Sequence, residues 1–162
     1  MPPAIGQAKE AGTPNAVDRL AALLAEDLTA VDAIIHHYMA SPVGVIPNLA
    51  TYLVDAGGKR IRPLITLAAA RLLGGGGDGP RKLAAAVEFI HSATLLHDDV
   101  VDDSTMRRGK KSANIVWGNA SSVLVGDFLF ARSFNLMVET GDLMVLDILA
   151  RAASIIAEGE AM

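Results

Sequence analysis

The sequence has no cysteine, which excludes disulfides and any metal site built from thiolates. Aromatic residues are scarce at 4%, so the 51% hydrophobic content is mostly Ala, Leu, Val and Ile. That mix suits helices packed on several sides. Positive charge is not in excess: the formal net charge is -4, which argues against a general nucleic-acid binder. The opening MPPAIGQAKEAGTPN lacks the charged start and apolar run of a secretory signal. No unbroken apolar run of about 18 residues occurs, so no transmembrane segment is predicted. Asp147 and Arg151 interrupt the most apolar late segment. Period-two alternation and short repeats are also missing, so no strands are predicted. These absences leave an all-α protein, expected in a reducing, cytoplasmic compartment.

What is present is helical periodicity. The 162 residues suffice for one domain with a real core. Residues 1–13 read as a flexible tail. From Pro14 to about Met39, Val17, Leu20, Leu24, Leu28, Val31 and Ile35 recur at helical spacing, with Thr13 or Asn15 as the cap. Residues 42–56 predict a shorter helix stopped by Gly57–Gly58. Pro63 suits the first turn of another, running to Leu73. GGGGDGP, residues 74–80, is a connection. A long helix is predicted over 81–102, a loop over 103–112 and a helix over 119–139. Gly141 separates that helix from a last one beginning at Asp142. The expected fold is an antiparallel helical bundle with short loops. VLVGDFLFARSFNLMV and LMVLDILARAASIIA are apolar nearly all round and want partners on several faces. The chain closes on EGEAM with no helix stop signal. Both features predict that the chain is part of a larger bundle.

The stretch LLHDDVVDDSTMRRGKKSAN, residues 95–114, concentrates the charge. At about 100° per residue, Asp98 falls at about −20° and Asp102 at about +20° from His91. Thr94 lies at about −60° and Asp99 at about +80° on the same wheel. Asp98 and Asp102 are one turn apart, close enough to contact one small cation cluster. Without a cation, like charges at this spacing cost roughly 0.2–0.5 kcal/mol per pair. Each acid near a helix C-terminus loses roughly another 0.3–1 kcal/mol. A sum this small leaves a solvated acidic helix end open as an alternative. The chemical reading is Mg2+, which keeps several waters, takes one or two carboxylates and bridges to substrate phosphates. Arg107 and Arg108 then suit phosphate oxygens, unless they belong to a solvated basic loop.

GGKRIRP, residues 57–63, adds three cations in four residues before a helix start, where anions are favoured. In the order GGKRIRP, EFIHSATLLHDDVVDD, MRRGKKSAN, the chain resembles the trans-isoprenyl diphosphate synthases, the polyprenyl synthetase family, of the long-chain type. The resemblance covers roughly residues 17–162 and the N-terminal half of the family's isoprenoid synthase domain. DDVVD, residues 98–102, resembles the first aspartate-rich motif. The resemblance implies metal ligation by Asp98 and Asp102 with Asp99 assisting. It implies isopentenyl diphosphate binding by Lys59, Arg62, His91 and Arg108, and an allylic diphosphate held by Arg107. It implies a prenyltransferase, typically a homodimer, that condenses the two diphosphates. Magnesium and cationic side chains stabilise the leaving diphosphate, and no side-chain nucleophile is needed. On residues alone, His91 could equally be a core histidine.

Thr94 and Ala93 stand four and five places before the first aspartate, where the family sets product length. The wheel puts Thr94 on the Asp98 face and Ala93 off it, so Ala93 rests on the resemblance. Small residues there imply a long product, about C35–C50, suited to a quinone side chain. The family's second aspartate-rich motif is not in this sequence, so these residues alone are expected to turn over little or nothing. Two other functions compete. A noncatalytic helical partner subunit would be expected to have lost some of these acids or arginines. An HD-type metal phosphohydrolase would use the His97–Asp98 pair but leaves GGKRIRP unexplained. Asp127 is expected to be a buried, hydrogen-bonded acid, and Glu158 and Glu160 to be solvated.

Overall fold

A computed structural model describes residues 14–55 and 60–162. The expected tail, the Gly57–Gly58 stop, Thr13 and Lys59 lie outside the described residues. The elements are α1 Ala16–Leu23, α2 Ala25–Met39, α3 Val45–Asp55, α4 Ile61–Leu72 and α5 Asp78–Val101. They continue with β1 Met106–Arg107, β2 Lys110–Lys111, α6 Ala113–Trp117, α7 Asn119–Glu139 and α8 Leu143–Glu160.

Asn15 caps α1 in a reciprocal capping box. Asp18 N–H donates to Asn15 Oδ1 at 3.0 Å, and Asn15 N–H donates to Asp18 Oδ2 at 3.2 Å. The single helix expected over 14–39 is interrupted at Leu24, whose backbone leaves helical geometry (φ -111, ψ 15). Leu24 is 3% exposed, so the break sits where its side chain enters the core. At the end of α4, Gly74 takes a left-handed φ of 80 and Gly75 N–H donates to Ala70 O at 2.7 Å, a Schellman-type closure. α5 starts at Asp78, earlier than expected, with Pro80 in its first turn. Asp142 caps α8 by accepting from Met144 N–H at 2.8 Å.

α5 is the central element and lies against α2, α4, α6 and α7. Ala84, Ala85, Ala86 and Ala93 are buried along it, and such small side chains let neighbouring helices approach closely. Phe89 and Leu96 join Ile35, Leu49, Leu129, Leu136 and Met137 in the core. Gly126 of α7 is the tightest point. A Cβ there would overlap the His97 ring, so α7 passes beneath that ring in its present position because residue 126 is glycine. α7 is long and apolar enough, by length and composition, to cross a membrane, against the sequence expectation. In this structure it is a core helix, burying Val125, Leu129, Leu136 and Met137.

The expectation of no strands is also corrected. Met106 pairs with Lys111 and Arg107 with Lys110 in a two-residue antiparallel hairpin. Arg108 (φ 52) and Gly109 (φ 79) are both left-handed, the pattern of a type I′ turn. Arms of two residues are too short to show a period of two, which is why the sequence did not reveal them.

Candidate diphosphate-binding site

Three cavities run in series along one face of α5. The first, a crevice of about 20 Å³, lies between α3, α5 and the hairpin and is lined by Arg60, Glu88, His91, Arg107 and Arg108. The second, about 310 Å³, is lined by Arg62, Ile90, His91, Thr94 and, from α8, Leu149, Ala153 and Ile156. The third, about 360 Å³, is lined by Ala93, Thr94, His97, Asp98, Asp127, Phe130 and Glu160. His91 belongs to the first two, and Ile90 and Thr94 to the last two; α8 residues line the second and third, which form one groove beneath that helix. The sequence put Ala93 off this face. The structure has it lining the third cavity, although it is 1% exposed.

The groove is electrostatically divided. At the basic end, burial pushes the His91 pKa down to about 4, and Arg62, Arg108 and Arg107 push it further in the same direction. The ring is therefore neutral near pH 7, in a region where guanidinium charge accumulates. At the acidic end, burial raises the Asp98 pKa, and Glu160 and Asp102 add to it by like-charge repulsion. Arg107 opposes that rise. Asp102 caps the C-terminus of α5, and its N–H donates to Asp98 O at 2.8 Å, so the two carboxylates are one turn apart.

Asp99 does not share their exposure. It is 1% exposed and gripped by Arg107 along one guanidinium edge, with Nε donating at 3.0 and 2.9 Å and Nη2 at 2.8 Å. The wheel gave its direction but not the arginine that meets it. Sequence reasoning also missed Arg60, which holds Asp32 at 3.2 Å and Glu88 at 3.1 Å from a left-handed φ of 47. Three cations in four residues hid this split, in which Arg60 is bound to acids while Arg62 lines the groove. Asp127 is not buried. Its side chain is 65% exposed and stands 3.4 Å from His97 Nε2, which also lies 3.3 Å from Val123 O. Glu160 is exposed but borders the same cavity as Asp98.

Among the described residues, no three His, Asp or Glu side chains converge as ready metal ligands. His97 turns its Nε2 toward α7, beside Val123 O and Asp127. Two carboxylates one turn apart still fit a hard cation that keeps its waters and completes its shell with phosphate oxygens. The like-charge repulsion that Glu160 and Asp102 exert on Asp98, only partly offset by Arg107, fits the same ion. Arg107 stands near both His91 and the α5 carboxylates, and the groove beside them has an apolar wall of Ile90, Ala153 and Ile156, an arrangement that suits an anionic head and a hydrocarbon body.

A fold of this kind carrying such a groove defines an all-α isoprenoid synthase domain. The polyprenyl synthetase family model matches residues 43–162, and the chain belongs to that family. It is 49% identical over 146 residues to the octaprenyl diphosphate synthase of Escherichia coli, covering 90% of this chain and 45% of the relative. It is 43% identical over 140 residues to an all-trans-nonaprenyl-diphosphate synthase of Rhodobacter capsulatus, covering 86% and 43%. Among solved structures it is similar to a polyprenyl synthase from Caulobacter crescentus complexed with calcium and isoprenyl diphosphate. There the TM-score is 0.88 and the identity 60%, covering 92% of this chain and 45% of that one. The chain thus spans about half the length of the relatives it matches.

Proposed function

We propose that residues 14–162 form the substrate-facing N-terminal half of a trans-prenyltransferase. That enzyme condenses isopentenyl diphosphate with an allylic diphosphate into a long-chain polyprenyl diphosphate. The observation that carries this reading is the charge gathered around the C-terminal half of α5: Arg62, Arg108 and Arg107 act on His91, and Arg107 also acts on Asp98, which Asp102 neighbours one turn on. Relatives named for octaprenyl and nonaprenyl products, and a similar structure holding calcium and isoprenyl diphosphate, support it.

In this reading Asp98 and Asp102 hold Mg2+, which when bound neutralises the leaving diphosphate. Arg107 grips the allylic diphosphate, and Lys59, Arg62, His91 and Arg108 bind isopentenyl diphosphate. The neutral His91 ring donates one hydrogen bond without adding charge. The apolar wall of Ile90, Ala153 and Ile156 keeps water from the reacting carbons, and the two chains are held side by side. The growing tail passes Thr94 and Ala93, whose small side chains leave it room. The complete enzyme is read as a cytoplasmic homodimer.

Calorimetry tests the reading. Uptake of an allylic diphosphate should require Mg2+ and be lost when Asp98→Asn and Asp102→Asn are combined. Uptake indifferent to the ion and to both substitutions would overturn it. In the elongating enzyme, Thr94→Phe should shorten the product, and an unchanged product length would remove Thr94 from the account.

A further inference from the structure

Four acids stand near the end of α5, yet the structure treats Asp99 differently from Asp98 and Asp102. Both oxygens of Asp99 accept from Arg107, and the backbone of the same turn is tied down as well. Asn114, 7% exposed at the start of α6, donates from Nδ2 to Asp99 O and to Ser104 O, each at 3.1 Å. Ser104 N–H donates to Asp99 O at 2.9 Å, and Ser112 Oγ to Ser104 O at 2.5 Å. One amide therefore joins the helix end, the loop after it and the helix that follows the arginine hairpin.

We infer that Asp99 and Asn114 are positioning residues for Arg107. The inference rests on the diphosphate reading above and deepens it. A guanidinium is planar, with five N–H donors in a fixed fork, so gripping the Nε–Nη2 edge fixes the plane and with it the direction of Nη1. Asp99 is 1% exposed and both its oxygens accept charge-assisted bonds from that fork, so little of the carboxylate is turned toward a cation in the groove. To bind one it would have to release Arg107 and leave a guanidinium beside a divalent charge. Asn114 acts one step further back. It keeps the Asp99 turn and the Ser104 loop in register, so the hairpin delivers Arg107 at the correct height. Holding a binding group by its neighbours in this way sets affinity without touching the ligand.

The test separates metal uptake from diphosphate uptake. Mn2+ alone, and then inorganic pyrophosphate with Mn2+ present, are titrated calorimetrically into the unaltered chain and into the D98N, D99N and N114A variants. D98N should weaken Mn2+ binding about tenfold, whereas D99N and N114A should hold it within about twofold and weaken pyrophosphate about tenfold. Arg107→Lys, which removes the planar fork without disturbing Asn114, should reproduce the D99N pattern and serves if D99N fails to fold. In nitrogen-15 spectra, the Arg107 Nε–H signal should shift in N114A, a response that a general loss of stability would not confine to this group. Weakening of Mn2+ by D99N equal to that by D98N would make Asp99 a ligand and overturn the inference. So would pyrophosphate binding that survives N114A unchanged. If the unaltered chain took up neither probe, the diphosphate reading itself would fall, and this inference with it.

Discussion

Helices α5 and α8 invite comparison. The sequence of α8 is the more apolar, yet none of its residues is buried. α5 ends in charged residues and still buries nine, Asp99 among them. α5 touches α2, α4, α6 and α7, whereas α8 lies against α7 and roofs the groove. Apolarity states how many partners a helix can use, and position decides how many it has. The same contrast separates the acids of α5, where Asp98 faces the groove and Asp99, one residue on, faces Arg107.

Truncating a core side chain of α5 should give the largest effect. Phe89 is 1% exposed and belongs to the main core cluster, so Phe89→Ala should destabilise by about 3–5 kcal/mol. Urea unfolding followed by circular dichroism measures it. A loss below about 1 kcal/mol would erase the difference between the two helices. Next comes the crossing of α5 and α7. Gly126→Ala puts a methyl into the His97 ring and should cost about 1–3 kcal/mol by overpacking. His97→Ala in the same chain should recover most of that loss, because it removes the atoms in the way. No recovery would mean that the α7 backbone itself, and not the ring, sets the spacing.

Much of this architecture was legible before any coordinates. The bounds of α7, the Asn15 cap, the Gly141–Asp142 junction and the Asp98–Thr94–His91 face all follow from local periodicity and capping chemistry. Relations between distant residues were not legible. Leu24 breaks a continuous apolar period because of what it packs into. Ala93 reaches a cavity closed from outside its own helix, by α7 and α8. A wheel assigns Asp99 an azimuth, but only the fold brings Arg107 and Asn114 to it. Asp127 was expected to be buried because its neighbours are apolar, yet the face of α7 it occupies opens on the groove.

A smaller effect concerns protons at the basic end of the groove. His91 titrates at about 4 in the folded chain and near 6.5 when unfolded. Between those values the unfolded chain binds a proton that the folded chain does not. Stability therefore falls as pH drops from about 6.5 to about 4, and this group contributes nothing above that window. The ring is only half-buried, so the loss is about 1 kcal/mol, well below the full free energy of the shift. His91→Gln should flatten unfolding midpoints across that range. An unchanged slope would show that the neutral ring is not what the arginines and burial impose.

The smallest expected effect is the one that tests α8 most directly. Ile155 is 68% exposed, so Ile155→Ala removes little that folding took from water. The change in stability should stay within about 0.5 kcal/mol, against several for Phe89. Phe89→Ala deletes about twice as many side-chain carbons as Ile155→Ala, so a ratio of losses well above two measures position rather than bulk. A larger loss that grew with protein concentration would identify a partner copy covering the exposed face of α8, since only association makes stability depend on concentration. A larger loss independent of concentration would instead bury Ile155 within the single chain, and the contrast with α5 would disappear.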